Sequence, residues 1–136
     1  FLEPDEVKAS TGLKMALEAG VPKEQVTFSS DGQGSLPVFC PDGTLKGLGV
    51  GKVTSLYREM RDAVLTDGVE LSLAIRTVTA NPAALLKLSR KGRVAEAADA
   101  DLVMADEMSL AIDMVMAKGT VMVSGGQAVV KGTFEG

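Results

Sequence analysis

Near residue 92 the apolar residues change their spacing, and that change limits the fold more than any other feature of the chain. Upstream they recur at three and four residues, the period of amphipathic helices. Leu13, Ala16 and Leu17 follow this rule, with Gly20 where a helix stops and Pro22 shortly after. From about Lys52, Leu56, Met60, Ala63 and Val64 line one face, ended by Gly68, and Leu71, Ala74, Ile75 and Val78 line the next. Asn81 and Pro82 have the form of an N-cap and a first helical residue for a further helix over "NPAALLKL". Residues 26–30, "VTFSS", read as a short buried strand. Residues 36–51 carry two prolines and four glycines and read as an irregular excursion, with a tight turn at Pro41-Asp42-Gly43. Downstream of 92 the pattern is extended: a strand at residues 102–105, then three strands within 112–134. Ser124-Gly125-Gly126-Gln127 offers a two-residue hairpin turn. The expectation is an α/β segment over residues 1–92, followed by an all-β segment over 93–136.

Composition narrows the chemistry. The chain has 136 residues and a net charge of −4, and its 14 Lys and Arg form no run. Nucleic acid is therefore not an expected partner, because phosphate binding needs clustered positive charge. No apolar stretch approaches the roughly 18 residues of a membrane span, so no membrane role is expected. The opening "FLEPDEVKAS" is acidic and lacks the form of a signal peptide, and the single Cys40 suits a reducing cytoplasm, where the protein is expected to reside. There is no histidine. A self-contained histidine zinc site and any Ser-His or Cys-His dyad are thereby excluded. Carboxylates, Lys, Ser and backbone groups remain.

Among these, Asp31 stands out. It follows the 26–30 strand, and Gly32-Gln33-Gly34-Ser35 clears bulk from around it. In parallel α/β folds the C-terminal ends of strands hold active sites. Gly32 and Gly34 would let a ligand approach the backbone, and Ser35 adds a hydroxyl and an N–H. The same residues also fit an ordinary turn, in which Asp bonds to nearby backbone N–H groups. Spacing leaves both readings open. No Lys follows Gly34-Ser35, so this is not a P-loop. Cys40 lacks a base and reads as a packing or loop cysteine, and the seven Met as core filler.

Four stretches, "VTFSSDGQGSLP", "TANPAALLKL", "KGRVAEAADADLV" and "VVKGTFE", together resemble the C-terminal portion of the isoaspartyl dipeptidase (β-aspartyl peptidase) family. That family lies in the metal-dependent amidohydrolase superfamily. The resemblance runs from about residue 5 to the end. The "SSDGxGS" loop and "KGTFE" are specific to the peptidases, and the other motifs to the superfamily. It implies the α/β class: the C-terminal part of a (β/α)8 barrel followed by strands of a small β-sandwich domain. Residues 1–92 would be barrel, with 26–30 its eighth strand and 52–88 the helices after it. Residues 93–136 would be sandwich strands.

The resemblance also implies roles. Asp31 would ligate one metal of a zinc pair and shuttle protons, and Ser35 would contact the α-carboxylate of a β-aspartyl dipeptide. Gly32 and Gly34 would make room for that substrate. Zinc would activate water for attack on the amide, with Asp31 carrying a proton to the departing amine. The other ligands of such enzymes, histidines and a carboxylated lysine, sit on earlier strands. The expected partners are therefore the remainder of the barrel, the dipeptide and further copies in a homo-oligomer. The 136-residue chain alone is expected to be inactive, since one strand cannot close a barrel. Ala97-Ala98 departs from the family, which more often has Gly in the first position. Two other readings stand beside this one: an amidohydrolase for a cyclic amide or an N-acyl amino acid, or, for the isolated chain, a non-catalytic module that binds a partner through exposed strand edges.

Overall fold

A computed structural model describes residues 7–132. The end of the last expected strand and the "TFE" of the closing motif lie outside the described residues. Contacts divide the chain into two compact units, Phe1–Asn81 and Pro82–Gly136. The division falls earlier than the change of period near residue 92. Residues 90 and 91 are tied by ion pairs to Asp99 and Asp101 and so go with the strands.

In the first unit, α1 (Ala9–Glu18) buries Leu13 and ends as its sequence predicts. Gly20 takes φ 82°, its N–H donates to Leu17 O at 3.0 Å, and Val21 N–H donates to Ala16 O at 3.0 Å. This is the double bond of a Schellman stop, which favours glycine at the left-handed position. A 3-10 turn, Lys23–Gln25, leads into residues 26–30. α2 (Ser55–Leu65) buries Met60 and Ala63, with Val64 and Tyr57 at the margin. α3 (Leu71–Arg76) is short and turns Ala74 and Leu73 to the core. Leu71 and Ile75 of its expected apolar stripe are exposed, because the core meets only one edge of that stripe. Leu13, Met60, Ala63, Val69 and Ala74 form the buried cluster, and Val26 and Phe28 pack on it.

Two expectations are corrected. Residues 26–30 are not a strand: they run extended from Val26 (φ −99°, ψ 127°) but join no ladder. A parallel strand needs neighbours, and the described residues supply none. Its burial still alternates as a strand's would, with Val26, Phe28 and Ser30 half-buried and Thr27 and Ser29 exposed. The "irregular" stretch is a β-hairpin, β1 (Ser35–Phe39) with β2 (Leu45–Val50), antiparallel, with a bulge between Val38 and Phe39. Pro37 does not prevent it, since a two-stranded ribbon is all edge and needs no donor at every position. The turn at Pro41-Asp42-Gly43 closes the hairpin, with Gly43 at φ 80°.

The second unit begins within α4 (Ala80–Leu85). β3 (Leu102–Ala105), β4 (Ile112–Ala117), β5 (Thr120–Ser124) and β6 (Gln127–Ala128) form an antiparallel sheet in sequence order. Gly125 (φ 58°) and Gly126 (φ 71°) make the expected two-residue turn. No residue of these four strands is buried.

Candidate active site

The loop from Asp31 to Ser35 is held from two sides. Asp31 sits at φ 44° and Gln33 at φ 69°, both left-handed. Gly34 N–H donates to Asp31 O at 2.8 Å, closing a tight turn. Gln33 N–H donates to Gly51 O and Gly51 N–H to Gly34 O, each at 2.9 Å, so the end of β2 is laced to the loop. The approach is close. A Cβ on Gly34 would lie 2.5 Å from Asp31 Oδ2, one on Gly51 2.5 Å from Asp31 O, and one on Gly32 2.6 Å from Val53 Cγ1. Gly51 was not singled out in the sequence. Its signal was the glycine-rich run at 47–51, which read as irregularity.

The turn reading of Asp31 can be compared with two other aspartates. Asp42 Oδ1 accepts from Thr44 Oγ1 at 2.7 Å and Thr44 N at 3.0 Å. Asp106 Oδ1 accepts from Ser109 Oγ at 2.7 Å and from the N–H groups of Ser109 and Met108. Those side-chain hydroxyls, with the backbone bonds behind them, hold both carboxyls below the ordinary carboxylate value. Asp31 makes its turn differently. Its carbonyl oxygen takes the Gly34 N–H, and among the described residues nothing donates to its carboxylate, which is exposed. Ser35, also exposed, opens β1 opposite Val50. Asp31, Gly32, Gly34 and Ser35 thus share one small loop. Cys40 lies apart, in the hairpin turn, where its N–H donates to Thr44 O.

Asn81 has another role than the expected N-cap. It lies inside α4, 3% exposed, and reaches back across the unit. Its Nδ2 donates to Lys23 O at 2.6 Å and Val26 O at 2.7 Å. Two carbonyl acceptors require the amide nitrogen there, so the side chain's orientation is fixed.

For a metal, the chain offers one suitable donor in this loop, the open carboxylate of Asp31. No group of three or more His, Cys, Asp or Glu able to hold an ion occurs among the described residues. As a metal ligand, Asp31 would need further donors from outside this loop.

The family model described as Amidohydrolase family matches residues 6–127. The chain belongs to the amidohydrolase family. Among solved structures it is similar to β-aspartyl dipeptidase from the thermophilic keratin-degrading Fervidobacterium islandicum AW-1, solved with a β-Asp-Leu dipeptide. That match has 35% identity and a TM-score of 0.80, covering 97% of this chain and 34% of that one. A second structure of β-aspartyl dipeptidase from that organism matches at 32% identity and a TM-score of 0.75, covering 97% and 32%. N-acetylglucosamine-6-phosphate deacetylase from Pasteurella multocida matches at 14% identity and a TM-score of 0.60, covering 82% and 33%, and shares the fold. The α/β class expected from the sequence is that of these amidohydrolase relatives. The chain spans about a third of the length of each structure it matches.

Proposed function

We propose that this chain is the C-terminal part of a metal-dependent β-aspartyl dipeptidase, contributing the last barrel strand, its helices and sandwich strands. The observation that carries the reading is the Asp31 carboxylate. It is exposed and without a donor in a loop laced by glycine contacts, within a chain 35% identical to a β-aspartyl dipeptidase over nearly its whole length. The alternation of residues 26–30 supports it. Val26 and Phe28 pack on the helices, so Thr27 and Ser29 face away from them, where a barrel interior would lie. The missing ladder and the unburied four-stranded sheet suit parts of a barrel and a sandwich whose other strands come from the rest of the protein.

Asp31 is the residue that would hold the metal, together with donors outside this chain. A bound zinc pair would supply acidified water and a polarised amide carbonyl. Asp31 takes the proton from water as its oxygen bonds to the carbonyl carbon. It returns that proton to the amide nitrogen as the C–N bond breaks, releasing aspartate and a free amino acid. Ser35 Oγ–H donates to the substrate's α-carboxylate, and the glycines admit the chain of the dipeptide. The single cysteine suits a reducing cytoplasm, and the enzyme would act there as a homo-oligomer.

The test is hydrolysis of β-aspartyl-leucine against α-aspartyl-leucine by the full-length gene product supplied with zinc. Selective cleavage of the β-linked dipeptide is expected, and Asp31→Asn should lower kcat by about 10²-fold or more. Cleavage of a dihydropyrimidine or an N-acyl amino acid in place of the β-aspartyl dipeptide would reassign the substrate. Full turnover by Asp31→Asn would remove Asp31 from the chemistry.

A further inference from the structure

The segment that ends in Asp31 is held from behind by the helices. Asn81 Nδ2 bonds the carbonyls of Lys23 and Val26, which bracket the 3-10 turn before the segment. Phe28 N–H donates to Thr77 O at 3.1 Å, and Arg76 pairs with Glu24 at 3.6 Å. Val26 and Phe28 rest on the core. Of these ties, only Asn81 places a buried polar side chain on the segment's backbone. An N-cap would bond its own helix. Asn81 instead bonds backbone 55 and 58 positions away.

We infer that Asn81 is a positioning residue for Asp31: by holding the Lys23 and Val26 carbonyls it sets where the 26–31 segment delivers the carboxylate. The inference rests on the proposed function only for its assay. Without the amide nothing joins the two carbonyls, and the peptide planes at the head of the segment are free to rotate. A displacement near 1 Å at a reacting group can lower a rate on the order of 10²-fold.

The experiment uses the full-length gene product with Asn81→Ala, Asn81→Ser and, as a control in the other compact unit, Lys91→Met. It reads kcat and KM on β-aspartyl-leucine, zinc affinity by chelator competition, and Tm. For a folded Asn81→Ala, kcat should fall roughly 30-fold with KM within about twofold. Zinc affinity should weaken about tenfold, as when a group that orients a ligand is lost. Lys91→Met should lower Tm with kcat unchanged, separating positioning from stability. Wild-type kcat and zinc affinity in folded Asn81→Ala would overturn the inference. Should that variant be insoluble, Asn81→Ser, which keeps one donor, decides in its place: an intermediate kcat supports the inference and a wild-type kcat overturns it. A parent protein that binds zinc but cleaves no β-aspartyl dipeptide sinks the functional reading, and the zinc affinities still decide the role of Asn81. One that does neither overturns both.

Discussion

At the scale of single residues, Gly34 is where the loop has least room. A methyl there would stand 2.5 Å from Asp31 Oδ2 and 2.8 Å from Asp31 O, so the side chain and the turn would both have to move. Gly34→Ala in the full-length protein should lower kcat/KM for the amide by roughly 10²-fold, with circular dichroism unchanged. A full rate in that variant would mean the carboxylate tolerates displacement. Ala97 gives a prediction of opposite sign. It is exposed at φ 63°, the left-handed region that disfavours a Cβ, and it stands where the family resemblance points to glycine. Ala97→Gly should stabilise by about 0.5–1 kcal/mol after the entropy of the added glycine is set against relief of strain, readable as a higher urea midpoint. The sequence could place Asp31 at the end of an extended run but could not separate it from Asp42 or Asp106. All three are turn aspartates. What differs is whether the carbonyl or the carboxylate makes the turn, and that depends on which donors the backbone presents. Asn81 was equally opaque: Asn-Pro before an apolar run is a cap signal, and its long-range bonds exist only once the chain has folded.

At the scale of elements, what the sequence showed depended on where each element finds its partners. β3 to β6 pair in sequence order through short turns, so their glycines and extended runs were readable locally. β1 and β2 also pair locally, yet Pro37, Gly47 and Gly49 hid them, because these residues lower strand propensity without blocking an edge ribbon. Residues 26–30 carry strand composition and strand alternation but find no ladder in the described residues. The knot joining the residues after α4 to the sheet is electrostatic. Lys91 Nζ bonds Asp99 at 3.0 Å and also Asp101, Arg90 bonds Asp99 at 2.8 Å, and Lys118 N–H donates to Asp101 Oδ1 at 2.7 Å. The hydrogen bonds from Lys91 hold both carboxyls below their usual range, and those to Asp101 and Asp99 raise the Lys91 ammonium. A carboxylate whose pKa is depressed on folding stabilises above its unfolded value and ceases to as pH falls through the folded one. A raised ammonium stabilises below its unfolded value and ceases to as pH rises through the folded one. The knot therefore acts between about pH 4 and pH 10. The urea midpoint of the full-length protein should fall on both sides of that window. Lys91→Met should flatten the acid limb, while an unaltered acid limb would assign it to other carboxylates.

At the scale of the whole molecule, the described residues hold an open carboxylate with no donor set around it and an extended segment with no ladder. With no histidine and one cysteine the chain lacks the donors most common at catalytic zinc, and among the described residues no three His, Cys, Asp or Glu gather to hold an ion. Leu48 (71% exposed), Val94 (85%) and Met108 (81%) present large apolar side chains, and the four-stranded sheet buries none of its residues. An extended segment at 26–30 that joins no ladder among the described residues, and uncovered sheet surface, are the features that draw a second chain. Two behaviours should therefore appear together in the isolated 136-residue chain. It should hydrolyse no β-aspartyl-leucine at any zinc concentration. It should also associate as its concentration rises, seen in gel filtration as an elution volume that moves with loading. Adding the remaining part of the parent protein as a separate chain should then suppress self-association and restore β-selective hydrolysis, because the same surfaces that associate are those the barrel and sandwich would cover. Turnover by the isolated chain would contradict the ligand argument. A concentration-independent monomer would instead mean that residues 26–30 and the sheet close on themselves, and complementation should then fail. The two measurements separate missing chemistry from missing structure, and recovery of both on mixing would show that the added chain supplies each.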